Sequence, residues 1–191
     1  AGPGVARAQK KAHIEGRTIV FVDESGFYLL PGLARTYAPC GQTPVLRSVY
    51  TRDHVSVISG ITMDGRLYTM VRREALDSLD SVVFLKHLLP HVSDKLLVIW
   101  DGSPIHKGHV KTFLAEGGAR QIYLEQLPPY APDLNPGEGV WHHLKNVEMR
   151  NLCCRSLAHL RTELGRAIKR LRRKPYLITA FFAEAGLSIK I

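Results

Sequence analysis

At 191 residues, with 45% hydrophobic and 8% aromatic side chains, the chain is long enough to bury one sizeable core and too apolar to be disordered. A formal net charge of +9 and a pI near 9.7 favour a polyanionic partner, nucleic acid first, without identifying one. No run is apolar for long enough to cross a membrane and the N-terminus carries no apolar signal core, so the expectation is a soluble, cytoplasmic protein.

Residues 1–14 are small, basic and unpatterned, with Arg7, Lys10 and Lys11, and read as a linker or short helical lead-in outside the core; residues 15–191 then form a single domain. Arg17-Thr18-Ile19-Val20-Phe21-Val22 is a β-branched and aromatic run, a strand buried on both faces that terminates in Asp23-Glu24-Ser25-Gly26. An acid there marks a sheet edge where polar work is done. Residues 30–50 are turn-rich, carrying Pro31, Gly32, Pro39, Gly41 and Pro44, with one short strand around 35–38. Val55–Thr62 and Leu67–Arg72 flank Met63-Asp64-Gly65-Arg66, and Asp-Gly between two apolar runs predicts a hairpin. Ser78–Leu89 has helical spacing and is expected to stop at Pro90.

Lys95-Leu96-Leu97-Val98-Ile99-Trp100-Asp101 is the second continuous apolar run, again closed by aspartate. Ser103-Pro104 predicts a cap and first helical residue for a helix through Ile105, Val110, Phe113 and Leu114 to Gly117-Gly118. A short strand over Gln121–Leu124 follows. In Pro128-Pro129-Tyr130-Ala131-Pro132-Asp133-Leu134-Asn135-Pro136-Gly137-Glu138, Asn135 suits an N-cap and Pro136 the first helical position. Glu138 then falls in the opening turn of a helix whose apolar set is Val140, Trp141, Leu144 and Val147. Asn-x-x-Glu is also close to a capping box, in which the glutamate only satisfies the backbone.

Arg155–Lys174 is a long amphipathic helix, its stripe Leu157, Leu160, Leu164, Ile168 and Leu171, its basic face Arg161, Arg166, Lys169, Arg170 and Arg173. That face suits DNA phosphates and equally suits plain solvation. Tyr176–Ala185 closes the chain, and residues 151–191 form a C-terminal helical extension of the domain. Cys40, Cys153 and Cys154 give no even disulfide framework; reduced thiols fit, and a zinc site with His142 and His143 matches no common spacing.

The element order predicts a mixed α/β sheet with helices on its faces. If the strands ending at Asp23 and Asp101 are parallel neighbours, both carboxylates emerge at one edge, where ligands of such sheets bind, and Glu138 completes the cluster. Three carboxylates without basic partners raise one another's pKa, and a divalent cation removes the conflict. An oxygen-only ligand set suits Mg2+ or Mn2+, and two such ions about 4 Å apart serve phosphoryl transfer.

The segments Phe21-Val22-Asp23-Glu24-Ser25-Gly26-Phe27, Ile99-Trp100-Asp101-Gly102 with His106, and Tyr130-Ala131-Pro132-Asp133-Leu134-Asn135-Pro136-Gly137-Glu138-Gly139-Val140-Trp141, taken in order, resemble the catalytic domain of mariner-related bacterial insertion-sequence transposases. The resemblance covers residues 15–150 roughly. It implies a ribonuclease-H-like fold, with three antiparallel strands and then two parallel strands, flanked by helices. It implies Asp23, Asp101 and Glu138 as the catalytic, metal-binding DDE triad for two Mg2+ or Mn2+ ions. The activity implied is hydrolysis of phosphodiesters at transposon ends, then attack of the freed 3′-hydroxyl on target DNA. The implied partner is double-stranded DNA, bound by a homodimer at the bacterial nucleoid.

The chain departs from the family pattern at Gly102, where asparagine is common, at Gly137, where a branched apolar residue is common, and at Tyr37, where tryptophan is expected. It shows no helix-turn-helix, so sequence-specific DNA binding by this stretch is not expected. Glu24 alternates with Asp23 along the strand, so only one of the two can enter the site. Glu24, His106 and His142 are candidates to support the acids from behind, with a helix cap or solvent role open for His106. Asp133 is expected to shape the turn, and Trp141 to anchor the core. Two other readings stay open: a related ribonuclease-H-like nuclease, and a catalytically silent, transposase-derived DNA-binding domain.

Overall fold

The computed structural model describes residues 3–47, 51–92, 95–129 and 131–187. Five strands form one mixed sheet: β1 Thr18–Tyr28, β2 His54–Thr62, β3 Leu67–Arg72, β4 Leu96–Trp100 and β5 Ile122–Gln126, in the order β3-β2-β1-β4-β5. β1, β2 and β3 are antiparallel; β4 and β5 run parallel to β1. The three-then-two pattern implied by the family resemblance is the one found. The β2–β3 turn closes on Gly65, whose φ of +87° needs glycine, with its N–H donating to the Thr62 carbonyl at 2.9 Å.

β1 does not end at Asp23. Its ladder with β2 runs on to Tyr28↔His54, whereas its pairing with β4 stops at Phe21↔Ile99. Asp23 therefore sits mid-strand on the β2 side and just past the last parallel rung on the β4 side. The sheet, rather than the strand, has its edge there.

The two faces are packed by different helices. Phe21 and Phe27 face α1 (Pro3–Glu15), α4 (Gly137–His143), α5 (Leu157–Arg172) and α6 (Pro175–Glu184), which supply Val5, Trp141, Leu164 and Phe182 to one core. Val20 and Val22 face α2 (Ser78–Val92) and α3 (His109–Ala115), which supply Phe84, Leu85, Leu88 and Val110 to the other.

Several local expectations are corrected. The lead-in is the helix α1, and Val5, Ala8 and Ala12 are buried in the first core. Spaced at three and four residues, they make a helical stripe of small side chains. α2 continues through Pro90, with its last turn fixed by buried Val92. No strand occurs at 35–38; Ala34 is instead tied to Asn151, donating at 2.8 Å and accepting at 3.0 Å. The helix expected from Pro104 is split into a 3-10 turn (Pro104–His106) and α3 by Gly108, at φ +57°. Beyond α4, the turn Leu144–Glu148 has π-helical bonding, which rotates Val147 outward to 53% exposure instead of into the apolar set. The three cysteines are free.

Candidate active site

Asp23 comes from β1, Asp101 from the residue after β4, and Glu138 from the first turn of α4. The three line one pocket of 350 Å3, together with Gly102, Ser103, Gln126 and the wall Leu127–Pro129, Ala131, Pro132 and Asn135. Tyr130 lies outside the described residues. The parallel β1–β4 pairing brings the two aspartates to the same end of the sheet. The 3-10 turn Pro132–Leu134 then leads α4 in across that end. Asn135 behaves as the sequence predicts in chemistry, if not in numbering: its Oδ1 accepts from Gly137 N–H at 3.0 Å and its carbonyl from Glu138 N–H at 3.1 Å. Glu138 itself is exposed to the pocket, so it is not consumed in capping.

Asp23 is buried, with only 8% of the residue exposed. Its Oδ2 accepts a 2.8 Å hydrogen bond from Trp141 Nε1–H. Burial pushes its carboxyl up to about 7; the Trp141 bond opposes this, while the charges of Glu24 and Glu138 add to it. Trp141 is thus more than a core anchor. It was missed as a site residue because helical spacing placed it in the apolar stripe, and nothing in the sequence says where its N–H points.

Asp101 is held differently. Its Oδ1 accepts from Ser103 N–H at 2.9 Å and lies 3.2 Å from His106 Nδ1. Each aspartate therefore has one oxygen fixed by a protein donor. His106 is buried and stacks on Trp100, with ring centroids 3.9 Å apart and planes within 3°. Its Nδ1 is 3.1 Å from the Asp101 carbonyl and its Nε2 is 2.9 Å from Glu24 Oε1. Burial pulls its pKa down, but the hydrogen bond and charge of Glu24, joined by Asp101, outweigh this and hold it above the ordinary 6.5.

Alternation does send Asp23 and Glu24 to opposite faces. Glu24 nevertheless reaches Asp101 from behind, through His106. Among the described residues, Glu24, Asp101 and His106 are the one set of such side chains with ligand atoms all within 4.8 Å of one another. Both His106 ring nitrogens already face these acceptors, so the cluster is more coherent as a hydrogen-bonded brace than as a ligand set. Asp23, Asp101 and Glu138 share the pocket wall, but their carboxylate oxygens do not all lie within 4.8 Å of one another. Among the described residues, neither Asp23 nor Glu138 has a Lys, Arg or His at ion-pair distance.

The remaining candidates lie elsewhere. His142 is exposed on α4, outside the pocket lining. Asp133 lies in the 3-10 turn and faces a neighbouring groove with Glu184. On α5, Arg166 pairs with Glu163 and Arg170 with Glu148, while Arg161, Lys169 and Arg173 are exposed and have no acidic partner among the described residues. The pocket holds no cysteine, and no zinc-like grouping of Cys153, Cys154, His142 and His143 occurs among the described residues.

None of the curated proteins matches the chain. Its fold is similar to a pre-cleavage Mos1 transpososome (TM-score 0.63, 15% identity, 97% of this chain and 60% of that one). It is similar to a mariner Mos1 paired-end complex with Mg (TM-score 0.58, 17% identity, 95% and 59%). The catalytic domain of Mos1 mariner transposase is matched over more of its length (TM-score 0.52, 14% identity, 97% and 90%). The chain spans about three fifths of the Mos1 chains in the complexes. At these identities the likeness shows a common ribonuclease-H-like fold. No helix among the described residues is long and apolar enough to cross a membrane. A family model described as DDE superfamily endonuclease matches residues 18–160, three quarters of the sequence, with Asp23, Asp101 and Glu138 all inside the match: the chain belongs to the DDE superfamily of endonucleases.

Proposed function

We propose that this is the catalytic domain of a DNA transposase of an insertion-sequence element, in which Asp23, Asp101 and Glu138 hold Mg2+ or Mn2+ in a two-ion site. The observation that carries the reading is that the three acids enter one pocket from β1, β4 and α4 in a chain of the DDE endonuclease family. The bound cations supply charge neutralisation at the reacting phosphodiester and activation of the attacking oxygen. Water forms a bond to phosphorus as the bond to O3′ breaks and takes up a proton, freeing a 3′-hydroxyl. That hydroxyl then attacks a target phosphodiester, displacing the target's own 3′-oxygen. The chain's share is positional. Trp141 fixes Asp23, Ser103 N–H and His106 fix Asp101, Glu24 braces His106, and the stiff lead-in to α4 sets Glu138. The exposed bases on and just past α5, Arg161, Lys169 and Arg173, face DNA in this reading. The working unit on DNA is a homodimer, since transposition joins two ends. The place of action is the bacterial nucleoid.

The test is metal-dependent cleavage. In Mg2+ or Mn2+, Asp101→Ala should slow nicking of supercoiled plasmid at least a hundredfold, about 2.7 kcal/mol of lost transition-state stabilisation. Its melting temperature should stay near that of the parent, because Asp101 is exposed. Unchanged nicking by the variant would remove the triad assignment.

A further inference from the structure

Ser59 lies in the middle of β2 and is 1% exposed, and its Oγ has no hydrogen-bond partner among the described residues. Val57 and Ile61, its neighbours on the same face of the strand, belong to the core that carries Trp141, Leu164 and Phe182. A hydroxyl buried in such a setting is costly unless it is used, and alanine would fill the place without that cost. Packing alone therefore gives no reason for a serine here.

The ladders supply one. Ser59 pairs directly with Asp23 of β1 on one side and with Thr69 of β3 on the other. Residues directly opposite in an antiparallel pair share a face, with Cβ atoms about 4.5–5.5 Å apart. Asp23, Ser59 and Thr69 thus make one polar row across three strands. At its far end, Thr69 Oγ1 already accepts from Arg172 Nη2 at 2.9 Å. At its near end stands the Asp23 carboxyl, to which Trp141 is the only side-chain donor among the described residues. A serine hydroxyl reorients by rotation about χ1 and about its own C–O bond, with no movement of the strand. The sheet therefore holds a spare donor beside the most buried of the three acids.

We infer that Ser59 is a positioning residue for Asp23. When a divalent cation occupies the acid pocket, the Ser59 hydroxyl turns to donate to the carboxylate from the sheet, as the Trp141 N–H donates from the helix. Two donors on two different elements then fix the plane of the carboxylate. The inference rests on the proposed reading of Asp23 as a cation ligand, and its test reads binding and melting rather than cleavage.

Mn2+ binding to the whole chain is measured by calorimetry at pH 8, beside thermal melting in EDTA. Ser59→Ala should weaken Mn2+ binding about tenfold, the size of effect usual for a group that orients a metal ligand. In EDTA the same variant should melt at or above the parent, because the hydroxyl it removes is unpaired there. Ser56→Ala, the same change three residues earlier on the opposite face of β2, should leave the Mn2+ affinity unchanged. Parent-like Mn2+ affinity in Ser59→Ala, or equal losses in the two variants, overturns the assignment. So does a fall of several degrees in EDTA, which would make Ser59 an ordinary part of the core. Absence of Mn2+ binding by the parent would overturn it together with the proposed metal triad, whereas the other outcomes leave that triad standing.

Discussion

Asp23 is the residue on which folding and chemistry pull in opposite directions. A carboxyl pushed from 3.8 to about 7 favours its protonated form in the folded state by roughly 4 kcal/mol. Because the folded value lies above the unfolded one, this stabilisation is present in full below about pH 4 and is lost as pH rises through 7. Without divalent metal, the stability contribution of this group should therefore fall between pH 4 and pH 8. Asp23→Asn removes the titration, keeps an acceptor for Trp141, and should melt higher than the parent at pH 8 in EDTA. Mg2+ should raise the melting temperature of the parent and not of the variant. Equal melting of the two proteins at pH 8, with or without metal, would mean that no buried charge is being held there. The acids themselves were legible in the sequence, because an ionisable residue after an apolar run is improbable without a task. Of their partners, His106 was already a candidate, but Trp141 and Ser103 were not: each acts through the direction of one N–H, and direction is a property of the assembled fold.

At the scale of elements, the approach of α4 to β1 decides whether the acids share a pocket. Gly137 lies close against β1: a Cβ there would stand 2.8 Å from Asp23 Cβ and 3.0 Å from Asp23 Oδ2. The Asp23 side chain cannot swing away, because Trp141 holds it. Gly137→Ala must then push the helix outward, at a cost of roughly 1–3 kcal/mol, seen as a fall of several degrees in melting temperature. Glu138 moves with the helix, so plasmid nicking should fall as well; parent-like melting and nicking together would show that the contact gives way freely. Elements with a strong local signal were readable: the Asp64-Gly65 hairpin, the two buried runs, and α5, whose N-cap Ser156 accepts from His159 N–H at 3.2 Å. Elements set by distant contacts were not. β1 continues past its acids because β2 supplies nine rungs of pairing, and the π turn after α4 brings the Glu148 side chain in to meet Arg170 and Lys174.

For the whole molecule, the core on the α4 face is closed by segments from both ends of the chain. α6 brings Phe182, which packs edge-on against Phe21 at 5.4 Å between centroids. α1 brings Val5, Ala8 and Ala12, and Lys11 lies 3.4 Å from the Tyr123 ring centroid. α1 was unreadable as core because its buried residues are mostly alanines, whose small side chains carry little hydropathy yet allow a helix to lie close on a sheet. Burial of one valine and two alanines is worth about 3 kcal/mol before counting the sheet surface they cover. Deleting residues 1–15 should therefore lower the melting temperature by roughly 6–12 °C, at 2–4 °C per kcal/mol for a domain of this size. The loss should come with little change in the acid pocket, since no residue of α1 lines it. Calorimetry of the truncated chain beside the parent measures the first effect, and nicking well below both melting transitions measures the second. A truncated protein that melts within a degree of the parent would mean that α1 rests on the surface without holding the fold. One that melts as expected but cannot nick would mean that the sheet transmits the loss to Asp23, only five residues beyond the start of β1.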